Sequence, residues 1–189
     1  MFRIEHRIGI AAPVDDAYEI VADIETWPQW SPIHKQATGK LSFGAPVTLV
    51  EYYDGLGTWE ITGALADWQP LSHVHVAVPK PFYAGTLIRF FEFDALSAHG
   101  STFAVGAVFN GFLAEREGKM IAKPVKRGFI AFAEALKAKA EAAYLAKPES
   151  ERAVNPLPPK SIPDKLKPPP PPNWKGAQFF GQFGNKKKR

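Results

Sequence analysis

Cysteine is absent from this chain of 189 residues. The absence excludes disulfides, iron–sulfur clusters, thiolate zinc sites and cysteine nucleophiles. It also argues against a small extracellular scaffold, because such domains depend on disulfide bonds for their stability. Hydrophobic residues make up 46% of the chain and aromatic residues 13%, so the sequence has enough apolar side chains to form a sizeable core.

A long apolar run is also absent. A transmembrane helix needs about 18 or more consecutive apolar residues, and the sequence contains no such run. The first residues, MFRIEHRIGI, alternate charged and apolar side chains, which is not the pattern of a signal peptide. We therefore expect a soluble protein of the cytoplasm.

Recognisable catalytic motifs are missing as well. The sequence has no phosphate-binding loop, no nucleophile elbow and no pair of catalytic acids. The segment Gly55-Leu56-Gly57 is interpreted as a turn, because no helix pattern follows it. We predict no bound cofactor and no metal, and catalysis is not the favoured interpretation.

Positive charge is unevenly distributed along the chain. The net charge is +4 overall, but residues 1–146 carry −3 and residues 147–189 carry +7. The acidic first part gives no basis for predicting nucleic-acid binding. Residues 147–189 hold 10 of the 18 prolines, including five in succession. We predict a globular domain over 1–146 and a disordered or polyproline tail over 147–189.

The end of the predicted tail combines aromatic residues with a basic run. Such a combination can dock into a groove of a partner protein or insert at an anionic membrane surface. A short basic run is also typical of a solvated chain end. The residues concerned are Trp174, Phe179, Phe180, Phe183, Lys186, Lys187, Lys188 and Arg189.

The start of the chain has the pattern of a strand followed by short helices. Residues 2–10 alternate apolar and polar side chains, which predicts a half-buried strand. A short helix is expected over 13–22, since Pro13 suits a helix start. A second helical turn is expected to pack Trp27 and Trp30 inward.

Six further strands and one long helix are predicted beyond this point. Turn residues separate the strands by short connections, which favours an antiparallel sheet. From about Leu113 to Ala146, apolar residues recur every three or four positions, which predicts an amphipathic helix. Pro124 lies inside it and is expected to kink it near Met120. The predicted strands are 34–41, 46–53, 58–66, 72–78, 86–95 and 102–110.

The segment PVDDAYEIVADIETWPQW at 13–30, and the long helix after Gly111, resemble the helix-grip superfamily. This SRPBCC superfamily includes START domains, birch-pollen-allergen-like proteins and polyketide cyclase/dehydratase-like proteins. The resemblance covers residues 1–146. It implies an α+β domain with a bent antiparallel sheet of about seven strands around a long C-terminal helix, with two short helices after the first strand. It also implies a hydrophobic ligand cavity between sheet and helix, and it does not by itself imply catalysis.

Strand alternation and helix periodicity indicate which residues should line that cavity. His6 is the most informative of them, because strand parity places it on the inner face. It could bond a ligand or act as an acid or base near neutral pH. The plainer interpretation is a histidine paired with a neighbouring group. The expected lining residues are Ile4, His6, Ile8, Tyr52, Trp59, Ile61, Arg89, Phe129 and Phe132.

The orientation of Arg89 is left open by the sequence, because both faces of its strand are apolar. If Arg89 shares the face of Leu87 and Phe91, its guanidinium enters the cavity and can hold a ligand oxygen. If it shares the face of Phe90, it lies on the outer surface and pairs with an acid there. Both alternatives fit the pattern LIRFFEF.

His73 and His75 are two residues apart on a predicted strand and therefore share a face. Such a pair can supply two metal ligands, but a zinc or iron site needs at least a third. The sequence offers no identifiable third ligand. Because Val74, Val76 and Val78 form the inner face, the histidines are expected to point outward to water.

Three functions follow from these observations. The first is binding or transport of a hydrophobic small molecule, such as a lipid, a quinone or a polyketide-like compound. The second is a polyketide cyclase/dehydratase-like enzyme, with His6 and Arg89 as candidate catalytic residues. The third is an adaptor whose tail recruits a partner protein or a membrane. The few polar residues expected in the cavity favour the first.

Overall fold

The structure is a computed structural model that describes residues 1–152. The predicted aromatic and basic contact residues of the tail, from Trp174 to Arg189, lie outside the described residues. The helices and strands, in chain order, are β1 (Phe2–Ile10), α1 (Val14–Ala22), a 3-10 turn (Ile24–Thr26), α2 (Trp27–Trp30), β2 (His34–Gly39), β3 (Pro46–Tyr53), β4 (Gly57–Gln69), β5 (His73–Val78), β6 (Thr86–Ser97), β7 (Gly100–Asn110), α3 (Phe112–Ala146) and α4 (Glu149–Arg152).

The seven strands form one antiparallel sheet in the order β1-β7-β6-β5-β4-β3-β2. Strands β2 to β7 therefore follow one another as a meander, and β1 pairs with β7 at one edge. The sheet curls around α3, and the predicted helix-grip fold is confirmed. The short helices α1 and α2 lie between β1 and β2 along the chain, as predicted.

The inner face of the sheet and α3 together form the core. The buried residues of α3 recur at helical spacing, and they include Val125, Phe129, Phe132 and Leu136. Phe132 packs among aromatic rings of the sheet, with its centroid 6.0 Å from that of Phe103. Burying one such phenylalanine contributes about 1.5–3 kcal/mol, so this seam stabilises the packing of the helix on the sheet.

Two glycines let α3 approach the sheet closely. A Cβ atom at Gly128 would lie 2.3 Å from Cε1 of Tyr53 on β3, and one at Gly118 would lie 2.7 Å from Cδ2 of Phe109 on β7. Both distances are too short for any side chain to fit without displacement of the ring. Glycine costs helix stability, and here that cost is offset by the ring that packs against the helix backbone.

The outer face of the sheet carries an apolar contact of its own. Phe90 is buried on this face, and its ring lies against Gly106, where a Cβ atom would be 2.1 Å from Cζ of Phe90. The guanidinium of Arg3 covers the same ring at 4.2 Å from the centroid. The strand β6 therefore has buried aromatic residues on both of its faces.

The first helix and the end of α3 are joined by a charged pair. The Lys147 ammonium contacts the buried Asp16 carboxylate of α1. The helix α4 follows within the segment that the sequence assigns to the tail. No helix within residues 1–152 is both long and apolar enough to cross a membrane.

Candidate functional site

Five polar side chains meet inside the apolar core, and we refer to them as the polar cluster. All five residues are buried, although ionisable side chains are rarely buried without partners. The members are Ser31, His34, Glu51, Tyr53 and Arg89. They come from the connection before β2 and from β2, β3 and β6.

Strand geometry brings these side chains together. Along β3, Glu51 and Tyr53 continue the inner face that Val47 and Leu49 begin, because side chains alternate between the faces of a strand. His34 is the direct cross-strand partner of Glu51. Arg89 arrives from β6, which is separated from β3 by two strands, so its long side chain crosses the concave face of the curled sheet.

The carboxylate of Glu51 lies at the centre of the polar cluster. Nη1 of Arg89 donates to Oε2 of Glu51 at 2.7 Å, and Oη of Tyr53 donates to the same oxygen at 2.9 Å. Nε2 of His34 lies 3.2 Å from Oε1 of Glu51. Oγ of Ser31 lies 2.6 Å from Nδ1 of His34. One carboxylate thus organises a chain of contacts from Ser31 to Arg89.

Burial and charge set the ionisation states in the cluster. Burial acts to raise the pKa of Glu51, but the charge of Arg89 and the contact with His34 outweigh it and lower that pKa to about 2. Burial lowers the pKa of His34. Burial and the Glu51 charge raise the pKa of Tyr53. At neutral pH the cluster therefore holds one cation, one anion and three neutral groups, with no net charge.

Arg89 has more donors than the protein satisfies. Among residues 1–152, its Nε and Nη2 atoms are buried and have no hydrogen-bond partner. The guanidinium carbon lies 4.7 Å from the ring centroid of Phe129 and 5.9 Å from that of Phe91. These aromatic contacts stabilise the cation but do not accept its remaining N–H groups. An oxygen atom of a ligand is the kind of partner that these donors lack.

A family model described as "Polyketide cyclase / dehydrase and lipid transport" matches residues 1–141. The chain belongs to this family. A search of curated proteins gave no match to the sequence.

Solved structures with the fold of this polyketide cyclase/dehydrase and lipid-transport family resemble the chain at low sequence identity. A START superfamily protein from Mycobacterium smegmatis has a TM-score of 0.59 and 18% identity, and the match covers 75% of this chain and 98% of that one. The ZhuI aromatase/cyclase from a Streptomyces species has a TM-score of 0.58 and 20% identity, with coverages of 74% and 93%. The di-domain ARO/CYC protein BexL has a TM-score of 0.57 and 16% identity, with coverages of 78% and 48%.

The structure places most of the predicted lining residues of this family member on the inner face. Arg89 lies inward with Leu87 and Phe91, which decides between its two alternatives. Ile4, Ile61, Phe129 and Phe132 are also buried, while Ile8 and Trp59 are partly buried against the core.

His6 lies between Ile4 and Ile8 on the inner face and faces Val105 of β7 across the strand pair. The residue is half-buried. Its Nε2 atom is buried and has no hydrogen-bond partner among residues 1–152. His6 does not belong to the polar cluster.

Tyr52 is a correction to the predicted lining. It lies on the outer face, 46% exposed, with Lys35 Nζ 5.6 Å from its ring centroid. The inward tyrosine is its neighbour Tyr53, which is 1% exposed. The strict alternation of β3 requires this, because Val47 and Leu49 share the parity of Tyr53 and not that of Tyr52.

Sequence reasoning missed four members of the polar cluster: Ser31, His34, Glu51 and Tyr53. A signal existed for Glu51, since its parity on β3 places it beside Leu49 in a strand that otherwise buries apolar residues. No comparable signal exists for His34. It begins β2 directly after the buried Ile33, so alternation alone cannot assign it a face.

A groove of about 620 Å³ opens where β5 ends. Strand β5 stops at Val78, whereas β4 extends back to Gly57, so β4 and β6 lack a common neighbour beyond this point. The lining residues are mostly small or apolar and come from both faces of the sheet, with Leu87 from the inner face and Ala77 and Ile88 from the outer face. Leu87 precedes Arg89 by two residues on the same inner face. The groove therefore lies next to the strand that carries the buried guanidinium.

Proposed function

We propose that this protein binds an uncharged hydrophobic small molecule in its interior, and that Arg89 holds an oxygen atom of that molecule. The observation that carries the proposal is the buried guanidinium with two unpartnered nitrogen atoms, Nε and Nη2. Leaving a buried donor without a partner costs about 1–3 kcal/mol. A ligand oxygen would recover that free energy, and the surrounding aromatic rings suit an apolar ligand body.

The charge balance of the polar cluster narrows the class of ligand. Glu51 is ionised and neutralises Arg89 through their 2.7 Å contact. A carboxylate-bearing lipid would therefore bring an unbalanced negative charge into a buried site, which is costly. A carbonyl oxygen brings no charge into the site. The proposal accordingly favours a quinone or a polyketide-like carbonyl compound over a fatty acid.

The comparisons support the same class of function. The family description names polyketide cyclase, dehydrase and lipid transport, and one structural neighbour is described as an aromatase/cyclase. The groove where β5 ends is the proposed entry route, because its mostly small or apolar lining extends from outer-face residues to Leu87 of the inner face.

The test uses three compounds with the same ring system and the full chain. Naphthalene has no oxygen, naphthoquinone has uncharged acceptor oxygens, and naphthoate has a negative charge. We expect naphthoquinone to bind about tenfold more tightly than naphthalene, which corresponds to one added hydrogen bond of about 1.4 kcal/mol. Naphthoate should bind more weakly than naphthoquinone. Equal affinities for the three compounds would contradict the role of Arg89.

A variant experiment separates Arg89 from general apolar binding. Arg89→Met should abolish the preference for naphthoquinone over naphthalene. Arg7→Met removes an arginine whose side chain is 45% exposed and should keep the preference. If Arg89→Met does not fold, competition by the three compounds against an apolar dye in the unmodified protein provides the same ranking.

A second candidate function is acid–base chemistry on the same bound molecule. The observation that favours it is the convergence of His34, Tyr53 and Arg89 on one carboxylate. A neutral buried histidine can accept a proton, and a guanidinium can polarise a carbonyl. His34→Asn should then abolish turnover of a polyketide-like substrate while keeping its affinity. Unchanged turnover in that variant would exclude His34 from the chemistry.

A further inference from the structure

The outer face of the sheet holds a cluster of histidine and carboxylate side chains away from the interior site. Within residues 1–152, ligand-type atoms of Asp67, His73 and His75 all lie within 4.8 Å of one another. Nε2 of His73 lies 3.1 Å from Oδ2 of Asp67, and Nδ1 of His75 lies 3.8 Å from that same oxygen. The sequence identifies no third ligand for the two histidines, and the structure places Asp67 beside them.

A β-bulge accounts for the position of Asp67. Strict alternation from the buried Leu65 would send residue 67 inward. The register between β4 and β5 shifts between Leu65 and Asp67, however, so that Leu65 pairs with Val76 and Asp67 pairs with His75. The extra residue in β4 turns the Asp67 side chain to the outer face, directly across from His75.

We propose that Asp67, His73 and His75 form a binding site for a divalent transition-metal ion of the zinc type. Two imidazoles and one carboxylate are an established ligand set for such ions. With metal–ligand bonds of about 2.0–2.2 Å, tetrahedral ligand atoms lie about 3.4 Å apart. The distances of 3.1 and 3.8 Å to Oδ2 of Asp67 bracket this spacing.

The surroundings of the second ring nitrogen of each histidine, the one that does not face Asp67, support the assignment. Metal-binding histidines usually engage their other ring nitrogen with a carboxylate, a carbonyl or another polar group, which fixes the ring and its tautomer. Here Nδ1 of His73 lies 3.2 Å from Oγ of Ser72, and Nε2 of His75 has the carboxylate of Glu92 at 3.5 Å, an ion-pair distance without a hydrogen bond. Nε2 of His73 and Nδ1 of His75 are therefore left to face Asp67.

The site lies at the outer surface of the sheet, where Asp67 covers the buried Nε2 atom of His73. The side chains of His73 and His75 are 21% and 27% exposed, and that of Asp67 is 61% exposed. Three protein ligands leave the fourth position of a tetrahedral ion to solvent. A bound ion would join β4 to β5 at the bulge, on the opposite side of the sheet from the polar cluster.

The test uses the full chain after treatment with a chelator, and zinc or cobalt ions alone as probes. We expect zinc to bind with a stoichiometry of one, and cobalt to give visible absorption bands of a low-coordinate site. His73→Ala, His75→Ala and Asp67→Asn should each weaken binding at least tenfold. Glu92→Gln should weaken it by about 10–100-fold through the orientation of His75.

His99→Ala is the matched control, since His99 is an exposed histidine on the connection between β6 and β7, and it should keep the affinity of the unmodified protein. Circular dichroism confirms folding of each variant, and Asp67→Asn is nearly isosteric should a histidine variant unfold. Zinc should raise the melting temperature of the unmodified protein but not that of Asp67→Asn. Absence of binding, or binding that persists in both histidine variants, would overturn the proposal.

Discussion

Nη1 of Arg89 lies 2.7 Å from Oε2 of Glu51, and neither side chain has any solvent exposure. Removing one partner of such a pair leaves a buried charge uncompensated, at a cost of about 3–5 kcal/mol. Replacing both partners by apolar residues is far less costly. A single substitution therefore measures the cost of leaving one charge without its partner. The net contribution of the pair to the free energy of unfolding is measured only when both residues are replaced together.

We expect Arg89→Met and Glu51→Leu each to lower the free energy of unfolding by about 3–5 kcal/mol. The double variant should be destabilised by much less than the sum of the two. Denaturant unfolding of all four proteins checks this. The exposed pair Arg7 and Asp94, at 2.8 Å, is the control, and disrupting it should cost about 0–1 kcal/mol. Additive losses at the buried pair would show that the two charges do not depend on each other.

Adjacent tyrosines allow a matched test of the hydrogen bond to Glu51. Tyr53→Phe removes the 2.9 Å bond from Oη to the buried carboxylate, so we expect a loss of about 1.5–3 kcal/mol in the free energy of unfolding. Tyr52→Phe changes an exposed tyrosine on the outer face and should change stability by less than about 0.5 kcal/mol. Thermal and denaturant unfolding compare the two. Equal effects would place the Tyr53 hydroxyl outside the polar cluster.

His34 should make the protein less stable as the pH falls below neutrality. Burial lowers its pKa in the folded state below the ordinary value of 6.5. The unfolded state therefore takes up a proton at a pH where the folded state does not. The contribution of neutral His34 to stability is fully present above the unfolded-state pKa of 6.5. It is lost as the pH falls from that value toward the lower pKa of the folded state, by up to about 1.4 kcal/mol per pH unit.

His34→Asn should remove this contribution and reduce the slope of unfolding free energy against pH between about 6.5 and 5. Urea unfolding at a series of pH values measures the slopes. If His34→Asn retains the full slope, another group is responsible for it.

The close contact between Phe90 and Gly106 on the outer face predicts that a larger residue at position 106 is destabilising. Gly106→Ala would place a Cβ atom 2.1 Å from Cζ of Phe90 and 2.5 Å from the carbonyl oxygen of Ile4, so we expect a loss of about 1–3 kcal/mol from overpacking. Gly9→Ala, on the neighbouring strand with nothing within 4 Å, should be neutral or stabilising by a few tenths of a kcal/mol. Denaturant midpoints of the two variants measure the difference, and equal midpoints would contradict the prediction.

The elements that the sequence predicts well are those with a single clear period. The alternation of 2–10 defines β1, and the helical spacing after Gly111 defines α3, because in both cases one face meets the core and the other meets water. The orientation of Arg89 had no such signal. Its neighbour Phe90 is also buried, beneath Arg3 and against Gly106, so the pattern of β6 is apolar on both faces.

Features that depend on how strands pair and how the sheet curls could not be predicted from the sequence. The bulge that turns Asp67 outward is a property of the pairing between β4 and β5, and the sequence around Ala66 contains no pattern that indicates it. The contact between Arg89 and Glu51 likewise depends on how strongly the sheet curls across two intervening strands. Local patterns specify faces, whereas these features require the three-dimensional register.

The glycines of α3 have a consequence for how this domain can vary. Gly118 receives the ring of Phe109 from β7, and Gly128 receives the ring of Tyr53 from β3. The helix is thus fixed at two points, one toward each side of the curled sheet. Because each helical residue advances the helix by about 100°, inserting or deleting one residue between the glycines would turn one of them away from its ring. The stretch from 119 to 127 therefore cannot change its length, and within it Val125 must also stay apolar because it is buried in the core.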